Sequence, residues 1–172
     1  KKMSGNYIAL ARDITERKTA EEALQSNRNL LHTILESSPG VITFALDTHY
    51  RYLAFDSKHA NVMSAIFGKE ITLGMDIFEV IGEVEDAKIA KRSFDRALSG
   101  ESFIAEEEYG DERLSRNYWQ IFYAPIYSEK GEIMGLTCFN MDITDRKKAE
   151  KKIKELNETL EDRVKERTYQ LM

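Results

Sequence analysis

The sequence predicts an α+β domain: a five-stranded antiparallel sheet with short helices on one face, flanked at either end by a long amphipathic, coiled-coil-type helix. Three observations carry this. First, apolar, β-branched and aromatic segments follow the order strand, strand, helices, strand, strand, strand, the pattern of a hairpin-linked sheet with its helices segregated to one side. Second, residues 16–38 and 146–172 contain no Gly or Pro and are rich in Glu, Lys, Arg, Leu and Ala, which is helix composition. Third, one junction occurs twice. Ala11-Arg12-Asp13-Ile14-Thr15-Glu16-Arg17-Lys18 returns as Asn140-Met141-Asp142-Ile143-Thr144-Asp145-Arg146-Lys147, about one domain length later. The chain therefore reads as a piece of a tandem array. Residues 1–15 are expected to be the last strand and exit motif of a preceding module, 16–38 a linker helix, 39–145 a whole domain, and 146–172 a C-terminal coiled-coil helix.

Composition narrows the function classes. Of 172 residues 42% are hydrophobic, enough for one core, and 25 basic against 30 acidic residues give a net charge of −5, which argues against a nucleic-acid footprint. One cysteine excludes an internal disulfide framework and any multi-cysteine metal site. No apolar run approaches the roughly 18 residues of a membrane span and no signal peptide is visible. A cytoplasmic fragment without membrane contact of its own is expected; an anchor elsewhere in a longer parent stays open.

Taken in order, residues 16–38 set Ala20, Leu24, Leu31 and Leu35 near heptad spacing, with Leu30 and Ile34 widening the stripe. Pro39 disfavours helix at Ser38 and ends the element. Such a helix needs a partner to be stable. Val41–Leu46 and Tyr50–Phe55 read as a hairpin around Asp47-Thr48-His49. Asp56 or Ser57 caps a short helix carrying His59, Met63 and Ile66 on one face, closed by Gly68. A turn of helix is expected within 74–81. A longer helix spans 85–98, with Ile89, Phe94, Ala97 and Leu98 inward and Ser99-Gly100 past its end. Three strands follow, 102–109, 117–127 and 136–141. Pro125 removes a ladder donor, so an edge or bulge is expected there. Asp142, Thr144 and Asp145 all offer cap oxygens to the last helix. Its apolar positions Ile153, Leu156 and Leu160 keep 3-4 spacing, Val164 follows one step late, and Leu171 comes after. An irregular seam of this kind is weakly specified and able to hold two registers.

The residues in combination resemble a family. Ser38-Pro39-Gly40 after a helix, Tyr52-Leu53-Ala54-Phe55-Asp56 entering one, Ser99-Gly100-Glu101, the Tyr118-Trp119 strand ending in Ala124-Pro125-Ile126, Gly131 with Gly135, and Asp142-Ile143-Thr144 are similar to a PAS domain of the kind found in tandem in sensor histidine kinases. The stretch Leu156 to Thr168 resembles the connector preceding the phospho-accepting helices of such kinases. The resemblance implies a sensory or relay module of a two-component phosphorelay, a homodimer through the flanking helices, and a kinase (transferase) core downstream in the same chain. A ligand-free dimerisation or relay module, and the PAS module of a diguanylate cyclase-type protein, are the alternatives. No nucleophile–base pair, phosphate loop or carboxylate pair stands out, so the fragment itself is expected to be no enzyme.

PAS modules enclose a small pocket, filled by a ligand or by side chains. Strand alternation with Trp119 inward gives the expected lining: Phe44, Phe55, His59, Met63, Phe78, Phe94, Trp119, Ile121, Tyr123, Cys138 and Asn140. Asn140 stands where flavin-binding members carry a pocket amide. Haem is not expected, because the family's haem ligand lies on the longer helix and 85–98 holds no His; nor is flavin, because Cys138 lies outside the adduct-forming helix. No metal site is expected, and the cofactor stays unknown. The acidic run Glu106-Glu107-Glu108 with Asp111-Glu112 reads as a solvated edge. Tyr118 and Phe122 face outward and need cover. Asp142, Ile143 and Thr144 are the signal-transfer junction, and Ile153, Leu156, Leu160 and Val164 the coiled-coil seam.

Overall fold

The structure, a computed structural model, describes residues 3–82 and 84–170. It divides between Pro39 and Gly40 into two compact units. The first is a single helix, α1 (Met3–Glu36). Its end agrees with the Pro39 stop: Ser37 donates its backbone N–H to Thr33 O and its hydroxyl to Ile34 O. Its beginning corrects the expectation of a strand before Asp13. A strand satisfies its backbone only against a neighbouring strand, and this unit has none among its described residues; a helix satisfies its own. Leu24, Leu30, Leu31 and Ile34 leave an exposed apolar stripe on the helix.

The second unit contains β1 (Ile42–Asp47), β2 (Tyr52–Phe55), α2 (Ser57–Phe67), a 3-10 turn (Ile77–Glu79), α3 (Val84–Leu98), β3 (Phe103–Tyr109), β4 (Asn117–Tyr127), β5 (Ile133–Asp142) and α4 (Thr144–Gln170). The five strands form one sheet in the order β2-β1-β5-β4-β3, antiparallel throughout. The last strand thus sits at the centre, clasped by β1 and β4. Gly135 makes the β1–β5 approach feasible, since a Cβ there would lie 2.2 Å from Leu46 O.

β5 begins at Ile133, three residues before the expected 136, and the start of β2 also differs from the sequence reading. β2 begins at Tyr52, not Tyr50, because Tyr50 turns the hairpin with a φ of 62°. Asp47 holds that conformation: its Oδ1 accepts from the N–H of His49 at 2.8 Å and of Arg51 at 2.9 Å. The Tyr50 ring is clamped edge-on against Phe78, and its hydroxyl donates to Asp95. Pro125 behaves as its missing donor requires. β3 pairs with β4 only as far as Tyr123, so Pro125 lies on a free edge on that side, and a bulge follows at Ile126/Tyr127.

Alternation sorts the sheet. Ile42, Phe44, Leu46, Trp119, Ile121, Tyr123, Leu136 and Cys138 are buried against Met63, Ile66, Ile77, Val80, Ile81, Ala90, Phe94 and Ala97 of the helical side. On the opposite face Tyr118, Phe122, Phe139 and Met141 are exposed. The same alternation divides the acidic run, and it is no uniform solvated edge. Glu107 turns inward to Ser93, Tyr109 and Tyr123. Glu106 turns outward to Arg146 and Lys147, and Glu108 pairs with Arg116. Among the described residues no helix is long and apolar enough to cross a membrane, and no group of three potential metal ligands converges.

Candidate functional site

Asp56 builds the first wall of the site. It is fully buried and does two tasks: Oδ1 accepts the N–H of His59 at 2.7 Å, capping α2, and Oδ2 accepts the N–H of Thr43 at 2.9 Å, tying α2 to β1. The cap aims His59 at the sheet. Its ring stacks on Phe44 with centroids 4.3 Å apart, and Nε2 lies 3.0 Å from the Tyr52 hydroxyl. Burial pulls the imidazole down to about 3, so the ring is neutral at physiological pH.

The opposite wall is β4. Trp119 and Glu107 are direct partners across β3 and β4, so both side chains point to the helical side. The Glu107 carboxylate accepts from Ser93 Oγ, Tyr109 OH and Tyr123 OH, each at 2.6 Å. Burial raises both tyrosines above their ordinary value. Three hydroxyl protons thus converge on one carboxylate behind the site. A second carboxylate braces the loop beyond β3. Asp86, buried at the start of α3, accepts from Arg116 Nη2 at 3.0 Å and from the Gly110 N–H at 2.9 Å. The loop is tight: Gly110 has a φ of 135°, and a Cβ there would meet Ser115 O at 1.9 Å.

Between these walls lies a cavity of about 60 Å³, almost entirely apolar. Of the residues expected to line it, Phe44, His59, Met63, Phe94, Trp119, Ile121, Tyr123 and Asn140 do. Three do not. Phe55 packs edge-on against Tyr52, Phe78 packs against Tyr50 and Phe94, and Cys138 is buried within the core away from the cavity, its thiol pushed well up by burial. Phe55 sits at the far end of β2, and Phe78 lies on the 3-10 turn, whose Ile77 faces the cavity instead. Asn140 donates Nδ2 to Ile42 O at 3.0 Å, which joins β5 to β1. The sequence reading missed Ile42, Val62, Ile66, Phe67, Ile77, Ile81, Ala90 and Tyr109 as lining. Ile42 and Tyr109 were legible as inward-facing strand residues and Ile66 from its helical spacing to His59 and Met63; the others depend on how the helices pack. Among the described residues the one buried side-chain polar atom without a partner is Trp119 Nε1.

The junction adjoins this cavity in sequence and in space. Two residues after Asn140, Asp142 Oδ1 accepts the Thr144 N–H at 2.8 Å, and Asn117 Nδ2 donates to Oδ2 at 3.0 Å. Ile143 donates its N–H to Tyr118 O at 2.8 Å, and Thr144 Oγ1 accepts the Tyr118 N–H at 2.9 Å. Asp142 therefore caps α4, while Thr144, expected as a cap oxygen, pins the helix start to β4 beside Trp119. Ile143 and Thr144 are buried. Glu106 reaches Arg146 and Lys147 at 2.5 Å each, fastening β3 to the first turn of α4. Farther out Ile153, Leu156, Leu160 and Val164 are all exposed on α4 of the single chain, and Leu171 lies outside the described residues.

A family model describing the PAS fold matches residues 35–148. A search of curated proteins gives no match. Among solved structures, the PAS domain of Bordetella pertussis BvgS is similar at 17% identity over 78% of this chain and 98% of its own, with a TM-score of 0.55. A sensory box histidine kinase/response regulator from Burkholderia thailandensis aligns at 16% identity over 78% and 98%, TM-score 0.53. The PAS domain of an HTR-like protein from Haloarcula marismortui aligns at 20% identity over 73% and 99%, TM-score 0.51. At these identities the likeness is one of fold.

Proposed function

The chain belongs to the PAS fold family, and from that premise we propose that it is the sensory and relay module of a sensor histidine kinase, working as a homodimer through its flanking helices. The observation that carries this reading is the junction. Cavity residue Trp119 is one residue from Tyr118, whose backbone O and N–H hold Ile143 and Thr144 against β4, and cavity residue Asn140 is two residues from Asp142, whose carboxylate accepts the Thr144 N–H. Between β5 and the first residue of α4 stands only Ile143. A displacement of β4 or β5 by an altered cavity is therefore delivered to the start of α4 with no flexible residue to absorb it.

The rest follows from helix physics. α4 leaves Ile153, Leu156, Leu160 and Val164 exposed, and a highly charged helix with one apolar stripe gains stability by pairing. Two copies in parallel would bury that seam, and its irregular spacing offers two registers of similar energy. A tenfold change in output needs about 1.4 kcal/mol of bias between them. Catalysis belongs to a kinase core beyond α4; the module itself holds and transmits a state in the cytoplasm.

The test is geometric. One residue inserted between Asp145 and Ile153 rotates everything downstream by about 100°. Autophosphorylation of the parent protein is expected to lose or invert its control while the domain stays folded by circular dichroism. Unchanged control would reject the relay.

A further inference from the structure

If the domain senses through its cavity, as proposed above, the walls specify what the cavity takes. Phe44, Met63, Phe94 and Ile121 make it apolar, and among the described residues no Lys, Arg, Asp or Glu lines it. A charged molecule would leave water for a site without a counter-charge. The polar side chains around it are largely spent. His59 meets the Tyr52 hydroxyl, and the hydroxyls of Tyr109 and Tyr123 both donate to Glu107. Trp119 is the exception. It lines the cavity, is 5% exposed, and its Nε1 has no acceptor among the described residues, a state that buried donors in native proteins rarely keep. Its cross-strand partner Glu107 offers no relief, being occupied by three hydroxyls. A water there would need two to four polar partners, and an almost wholly apolar wall is a poor place to find them.

We infer that the cavity binds a small neutral carbonyl compound, a short-chain ketone or aldehyde, whose oxygen accepts the hydrogen bond of Trp119 Nε1 while its alkyl body lies against Phe44, Met63, Phe94 and Ile121. Size supports the class: about 60 Å³ is less than half of the roughly 150 Å³ that accommodates benzene in an engineered protein cavity, so a few heavy atoms fit and a fused ring does not.

Trp119 is the only tryptophan in the chain, so its indole reports on this site alone. The probes are 2-butanone, its hydrocarbon isostere 2-methyl-1-butene, and the anionic isostere propanoate, each titrated into the full chain. The readouts are Trp119 emission, the ¹⁵N-indole proton resonance and the Met63 methyl resonance. Butanone is expected to shift all three saturably and to move the indole proton downfield. The alkene should bind about tenfold more weakly or worse, the change expected when a buried donor is left unpaired, and propanoate not at all. In Trp119→Phe the preference of butanone over the alkene, read at Met63, should vanish. Equal affinity for ketone and alkene, a preference that survives in Trp119→Phe, binding of propanoate, or silence of all three readouts would each overturn the inference. The indole proton of the wild-type chain decides the question even where Trp119→Phe does not fold. The relay reading falls on a different result, unchanged kinase control in the insertion variant, so the two fail separately.

Discussion

Trp119 and Glu107 face each other across two strands, yet the Glu107 carboxylate has three hydrogen-bond donors and the Trp119 Nε1 has no acceptor among the described residues. Alternation along β3 and β4 places both inward, and the sequence shows that much for Trp119. It does not show that Ser93, a residue of α3, would arrive beside Tyr109 and Tyr123 to share one carboxylate. His59 is a similar case. Its position beside Met63 and Ile66 is written in the helical spacing, but its environment is supplied by Phe44 and Tyr52 from the hairpin. That environment has a measurable consequence. The unfolded chain takes up a proton at His59 near pH 6.5, while the folded chain refuses it down to about 3. Stability therefore rises with pH across that window and is complete above it. Between pH 7 and pH 5 the His59 contribution should fall by about 2 kcal/mol, and His59→Gln should lack that part of the slope in urea titrations. Asp56→Ala removes two charge-assisted bonds in the core at once and should cost about 1.5–3 kcal/mol, read as a shift of the urea midpoint at unchanged slope.

Elements show where local pattern suffices and where it does not. The helices ended where Pro39, Gly68 and Gly100 said they would, because these residues act through their own backbone. The stretch before Asp13 is helix and not strand, because a strand is a property of two segments and this unit has no second strand among its described residues. β3 carried a triple-Glu run whose meaning depended on three different neighbours. Its outward member, Glu106, couples β3 to α4. Lys147, and after it Arg146, hold the Glu106 carboxyl below its usual range. The tether is thus present above the ordinary Glu range and is lost as pH falls through the lowered value. Hydrogen exchange in the first turn of α4 should be slower in wild type than in Glu106→Gln at neutral pH, and the difference should disappear in acid. On α4 itself, Leu160→Ala should weaken pairing of two chains by about 2–5 kcal/mol if the seam is buried between them. Analytical ultracentrifugation measures this, and an unaltered monomer–dimer equilibrium would place Leu160 elsewhere.

At the scale of the molecule, the central position of β5 is what links a cavity to an exit helix. Both of its neighbours, β1 and β4, contribute to the cavity, and its end becomes α4 after one residue. A signal carried by such a body depends on helical phase. Where one inserted residue between Asp145 and Ile153 breaks control, seven should restore it, because seven residues return the apolar seam to its own face. Loss of control in both variants would mean that length matters and phase does not; autophosphorylation assays on the pair separate the two.

By itself the sequence determined the order of the elements after Pro39, their stops, the inward set Phe44, Trp119, Ile121 and Tyr123, and the position of Asp142-Ile143-Thr144 between the last strand and the last helix, since each follows from period-2 or period-3.6 spacing, turn residues and caps that act over a few positions. Tertiary structure alone decided that Phe55, Phe78 and Cys138 stand off the cavity, that Glu107 is enclosed by hydroxyls, that Thr144 pins β4 instead of capping its own helix, and that one indole N–H is left over. Hydrogen bonds and cavities are made between segments distant in sequence, and no local spacing carries the distance between them.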